Sequence, residues 1–208
     1  MNQTTTSAIS SSLSSSFFVS PTRVRTNSFA SFEKQPLMGK RLSFQGDKQM
    51  TDVTLSSFLI KNKKNLDKVT ALDLMGTSIT GKGLKALSDC KNLETLDLTN
   101  TKITNEMLNQ YLPELPSLQK LWINNCPSLK VTDDKLLTWL NRTPNIIELN
   151  TVNSKIEPKL IPPLKKLELL YSNYGNALSL IQNPNFPSLN LVWTPLHWGC
   201  ATNPVRKW

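Results

Sequence analysis

A chain of 208 residues with 24 Lys and Arg against 15 Asp and Glu carries a formal charge of +9, yet its lysines are scattered and no nucleic-acid signature accompanies them, so no nucleic-acid partner is expected. Three widely spaced cysteines, Cys90, Cys126 and Cys200, are odd in number and too sparse for a secreted disulfide scaffold, which predicts a reducing compartment. The single histidine, His197, excludes a site built on two imidazoles, and no apolar run reaches the roughly 18–20 residues that a membrane span requires.

The first element is a leader. Met1 to Phe32 holds ten serines and five threonines with Arg23 and Arg25, and no acid precedes Glu33. Such a stretch offers too little apolar area to offset chain entropy, so residues 1–47 are expected to be a disordered Ser/Thr-rich leader. Phe17-Phe18-Val19 is too short for the apolar core of a secretory signal, and the basic residues follow it instead of preceding it. The composition resembles an organellar transit peptide, and equally the unfolded signals of effectors exported by bacterial injection machines. A plain cytoplasmic tail is the remaining reading.

Next, Thr51-Asp-Val-Thr-Leu55 lines up with Thr132-Asp-Asp-Lys-Leu136, each offering Thr as an N-cap with acid in the first turn. Both segments are therefore predicted helices. The pattern Val69-Thr-Ala-Leu72-Asp-Leu74-Met-Gly-Thr77-Ser-Ile79 then recurs as Leu93-Glu-Thr-Leu96-Asp-Leu98-Thr-Asn-Thr101-Lys-Ile103. Leu118-Gln-Lys-Leu121-Trp-Ile123 and Ile146-Ile-Glu-Leu149-Asn-Thr151 continue it at intervals of about 24 to 28 residues, within the range of a leucine-rich repeat. Leucines alternating along each strand face inward, and Gly83 to Leu87, Met107 to Leu112 and Leu136 to Leu140 show helical spacing between strands. Each unit is thus strand, turn, helix, and the predicted fold is an α/β solenoid over residues 48–160, with parallel strands on its concave face and helices on its convex face. Cys126-Pro-Ser-Leu129-Lys-Val131-Thr132-Asp133 with Leu136 and Leu140 resembles the cysteine-containing leucine-rich repeat, and Thr77, Thr101 and Ser154 occupy the slot of its cysteine. Cys90 and Cys126 are expected to be buried small groups rather than nucleophiles. F-box proteins carry this repeat subtype, but Phe32 to Met50 lacks the Leu-Pro and aromatic helical pattern of an F-box.

Outward positions of successive strands form columns. One reads Asp73, Asp97, Trp122, Asn150; its neighbours read Ala71, Thr95, Lys120, Glu148 and Met75, Thr99, Asn124, Val152. An outward tryptophan beside carboxylates and amides is the residue type that anchors protein interfaces. The candidate contact residues are Asp73, Asp97, Trp122, Asn124, Glu148 and Asn150, with Trp122 foremost. Asp73 and Asp97 are expected to form a solvated acidic patch, not a catalytic pair.

Beyond Ile156 the leucine pattern lapses among Pro158, Pro162 and Pro163, and Leu164-Lys-Lys-Leu167-Glu-Leu169-Leu170-Tyr171 reads as helix. Thr194-Pro195-Leu196-His197-Trp198-Gly199-Cys200 resembles the opening of an ankyrin repeat, preceded by Gly175 to Asn183 as the tail of an earlier unit. Residues 161–208 are accordingly expected to be a helical, ankyrin-like and incomplete segment, with His197 structural.

The expectation is a monomeric protein-binding module without catalytic activity, metal, cofactor or membrane span. Two repeat types behind a Ser-rich leader resemble eukaryote-like effectors of intracellular bacteria, which implies action in host cytosol. The alternative is a substrate-recognition subunit of a ubiquitin ligase that lacks its recruiting module.

Overall fold

The computed structural model describes residues 41–129, 137–173, 177–194 and 203–206. Its spine is one sheet with strands in sequence order: β1 Arg41–Ser43, β2 Ala71–Asp73, β3 Thr95–Asp97, β4 Lys120–Trp122, β5 Glu148–Asn150, β6 Leu169–Tyr171, β7 Leu191–Thr194 and β8 Asn203–Arg206. β1 to β7 run parallel, and β8 returns antiparallel to β7. Short helices lie between strands: α1 Asp52–Lys61, α2 Asn105–Tyr111 and α3 Ala177–Ile181, with 3-10 turns at Lys63–Lys68, Lys82–Asp89, Thr138–Arg142 and Pro158–Leu160.

The middle residue of every parallel strand points inward, and the register stacks Leu42, Leu72, Leu96, Leu121, Leu149, Leu170 and Val192. All are buried in one continuous core. Burying each such leucine contributes roughly 1.5–3 kcal/mol relative to exposure, and no three-residue strand could do this alone.

Three hydrogen-bonded ladders fix the stacking. At the turns after β1 to β5 the chain adopts a left-handed residue, supplied by Gly46 (φ 78°), Gly76 (φ 69°), Asn100 (φ 56°), Asn125 (φ 54°) and Asn153 (φ 60°). Asparagine is the non-glycine residue best able to adopt this conformation. One residue further, a buried slot satisfies turn carbonyls: Thr77 Oγ1 donates to Leu74 O at 2.7 Å, Thr101 Oγ1 to Leu98 O at 2.6 Å, and Ser154 Oγ to Ile123 O. Cys126 occupies the same slot and donates its thiol to Leu98 O at 3.1 Å. Ahead of each strand a third ladder joins neighbouring units: Asn92 Nδ2 donates to Asp67 O at 2.7 Å, Ser117 Oγ to Lys91 O at 2.8 Å, Asn145 Nδ2 to Pro116 O at 2.6 Å and Ser188 Oγ to Lys165 O at 2.7 Å. Lys166 stands at that position between the two last pairs and makes no such bond.

The N-cap predicted for Thr51 is present, with Thr54 N donating to its hydroxyl at 3.3 Å and its own N–H donating to Thr54 Oγ1 at 2.6 Å. Asp52 reaches across to the next unit instead of serving only its own helix. Its carboxylate accepts from Thr80 N (3.0 Å), Thr80 Oγ1 (2.7 Å), Gly81 N (3.1 Å) and Gly83 N (2.8 Å). A Cβ at Gly83 would lie 2.8 Å from Asp52 O, so only glycine permits this approach.

Several expectations are corrected. Residues 41–47, assigned by composition to the leader, open the sheet, because Leu42 and Phe44 bury 97% of their surface against β2 and α1, leaving 3% exposed. The helix read over Leu164–Tyr171 is instead the approach to β6: Leu167 and Leu170 both face the core, and Glu168 N and Leu169 N donate to Ile147 O at 2.9 and 3.0 Å. A three-residue leucine spacing suits a helix or a bend into a strand, and the unpaired edge of β5 selects the strand. Of the convex-side segments read as helical, Lys82–Asp89 and Thr138–Arg142 are 3-10 turns, and Asn105–Tyr111 is an α-helix. Thr194 ends β7, and Asn203–Arg206 form a strand where an ankyrin helix was expected. Residues 1–40, the Thr132 cap and the Pro195–Cys200 motif, His197 included, lie outside the described residues.

Candidate protein-binding face

Opposite the core, the third position of each strand builds a column in register: Ser43, Asp73, Asp97, Trp122, Asn150, Tyr171, Trp193. Four of these were placed in one column from the sequence. Ser43, Tyr171 and Trp193 were missed because their strands were not recognised. A usable signal existed, since Trp122, Tyr171 and Trp193 each follow the inward residue directly.

The column divides in two. In its first half the acids turn inward on the backbone. Asp73 accepts from Met75 N at 3.1 Å and from Ser43 Oγ at 3.0 Å, and pairs with Arg41 at 3.5 Å. Asp97 accepts from Thr99 N at 2.8 Å. Asp73 and Asp97 are only 5% and 7% exposed, so the expected solvated patch is instead a pair of buried turn-forming carboxylates. Burial, with repulsion from Asp73, pushes the Asp97 carboxyl above its ordinary value against the hydrogen bonds of Thr99 and the attraction of Arg41. Asn150 makes the same turn without charge, accepting from Val152 N at 3.1 Å. Asn124 accepts from Thr99 Oγ1 at 2.7 Å.

The second half is aromatic. Trp122 is half-buried, and its Nε1 donates to Glu148 Oε1 at 2.9 Å. The other carboxylate oxygen of Glu148 meets Lys120 Nζ at 3.1 Å. Tyr171 and Trp193 are also half-buried and meet edge to face, centroids 5.6 Å apart. Burial and the nearby Glu148 carboxylate raise the Tyr171 phenol. Of the six residues proposed from the sequence, Trp122, Glu148 and Asn150 lie together on this half, Asn124 borders it, and Asp73 and Asp97 belong to the other half.

Burial, with the adjacent Asp89, pushes the Cys90 thiol up to about 11, and burial raises Cys126 as well, so both thiols stay protonated at neutral pH. Among the described residues no group of His, Cys, Asp or Glu is arranged to hold a metal ion, and no helix is long and apolar enough to cross a membrane.

The Leucine Rich repeat family model matches two units of the array, residues 67–88 and 89–106. The seven parallel strands extend that architecture beyond the matched units. No curated protein matches the chain.

Proposed function

We propose that the chain binds a partner protein through the outer face of its sheet, with the aromatic half as the contact centre. Leucine-rich repeats commonly serve as protein interaction modules, and stacked repeats present extended binding surfaces. The observation that carries the reading is Trp122, partly exposed at the middle of the column and held by Glu148 on the next strand. A large aromatic fixed before binding loses little ordering entropy on contact, and residues of this type dominate interface energetics. Nothing in this mode of action calls for a catalytic step.

The test compares two faces of the molecule. The immobilised chain is exposed to lysate, captured proteins are identified, and their affinity for purified Trp122→Ala and Val53→Ser variants is measured. Val53 is 75% exposed on α1, away from the sheet face. Trp122→Ala should weaken a genuine partner about 10-fold or more, roughly 2 kcal/mol, and Val53→Ser should leave it unchanged. The reverse pattern would move the interface to the helical side.

A further inference from the structure

The sheet face already seats its own cations on carboxylates, although the chain as a whole is basic. Against a formal charge of +9, the cations Arg41 and Lys120 on this face are each held by a carboxylate of the face itself, Asp73 and Glu148. At the rim where the strands begin, Glu94 and Glu168 are exposed and make no ion pair among the described residues. Lys166 is exposed at the same rim, so the charges there are mixed.

Glu148 is the centre of this arrangement. It projects from β5, between the strands that carry Trp122 and Tyr171, which lie about 10 Å apart across two strand spacings. Its side chain is 13% exposed, and Lys120, 49% exposed, covers it from the solvent side. A carboxylate flanked by aromatic rings is the environment that stabilises a cation by charge and by the ring faces together. Lys120 is a flexible ammonium, and an arginine from a partner would offer Glu148 a two-pronged hydrogen bond that lysine cannot.

We propose that the partner segment received by this face carries a basic side chain, arginine above all, that settles between Trp122 and Tyr171 and replaces Lys120 on Glu148. This rests on the sheet face being the interface, and it specifies the partner as cationic despite the basic character of the chain. Lys120 is then a built-in competitor.

The probe is a fluorescein-labelled nona-arginine peptide, titrated against the full chain by anisotropy at low and moderate salt, with nona-glutamate as the counter-probe. Nona-arginine should bind, more weakly as salt rises. Lys120→Met should tighten it about 3-fold or more, and Glu148→Gln, whose amide oxygen can still accept from Trp122, should weaken it about 10-fold. Absence of nona-arginine binding to both the native chain and Lys120→Met, or binding indifferent to Glu148→Gln, would overturn the proposal. A captured protein that needs Trp122 but ignores Glu148→Gln and Lys120→Met would overturn it too, while leaving the interface itself in place.

Discussion

Asp97 and Asp52 show how one residue type is used in opposite ways. Asp97 is buried on the sheet face, and its carboxyl is raised by that burial. A raised folded-state value favours the protonated form in the fold, so its contribution is fully present below the unfolded value of about 3.9 and is lost as pH rises through the folded value. Asp97→Asn keeps the acceptor for Thr99 N–H, as Asn150 does for Val152, and removes the buried charge. It should raise stability at pH 7 by about 1 kcal/mol, the advantage shrinking as pH falls toward 4, measured by urea unfolding across pH. A loss of stability at pH 7 would mean that the hydrogen bonds from Thr99 and the attraction of Arg41 outweigh the burial. This was not legible in the sequence: alternation along a strand sets which way Asp97 points, but its burial depends on Thr99, Asp73 and the neighbouring strands closing over a short side chain.

Between elements, the join of α1 to the next unit rests on Asp52. Burial opposes its charge, yet the hydrogen bonds from Gly83, Thr80 and Gly81 hold its carboxyl below the ordinary value. Its contribution is therefore present above the unfolded value of about 3.9 and lost as pH falls through the lower folded value. Asp52→Asn gives up acceptor capacity for those donors and should cost about 1–3 kcal/mol at neutral pH, with a shallower fall in stability below pH 4 than the native chain shows in acid titration followed by circular dichroism. An unchanged midpoint would assign the join to the packing of Leu55, Phe58 and Leu59 alone. The N-cap at Thr51 was readable because capping is local in sequence. The reach of Asp52 to Gly83 was not, since it requires a glycine whose missing side chain matters only once the two turns are stacked.

Across the whole molecule the leucine pattern made β2 to β5 readable, and it failed where prolines broke the spacing or the anchor was missing. In β6 and β7, behind Pro158, Pro162 and Pro163, the position two residues on from the strand centre is Ser172 and Thr194, as it is Thr151 in β5, and at β1 a single Leu42-Ser-Phe44 stands without a preceding leucine anchor. These strands form because a neighbour offers an open edge and a core, which is long-range information. The ladder ahead of the strands shows the same dependence on neighbours. Lys166 interrupts it where Asn145 would otherwise have its counterpart, and Lys166→Ser would place a hydroxyl to donate to Pro144 O. That substitution should raise the thermal midpoint, worth about 0.5–1 kcal/mol; an unchanged or lower midpoint would show that the interruption costs nothing.

Cys90 and Cys126 lie in the core of different units, 1% and 0% exposed, and both thiols are held protonated. An alkylating reagent reaches either sulfur only when its unit parts from a neighbour. The two cysteines thus act as clocks set at separate points along the array, and the ratio of their modification rates tells whether the solenoid opens from one end or all at once.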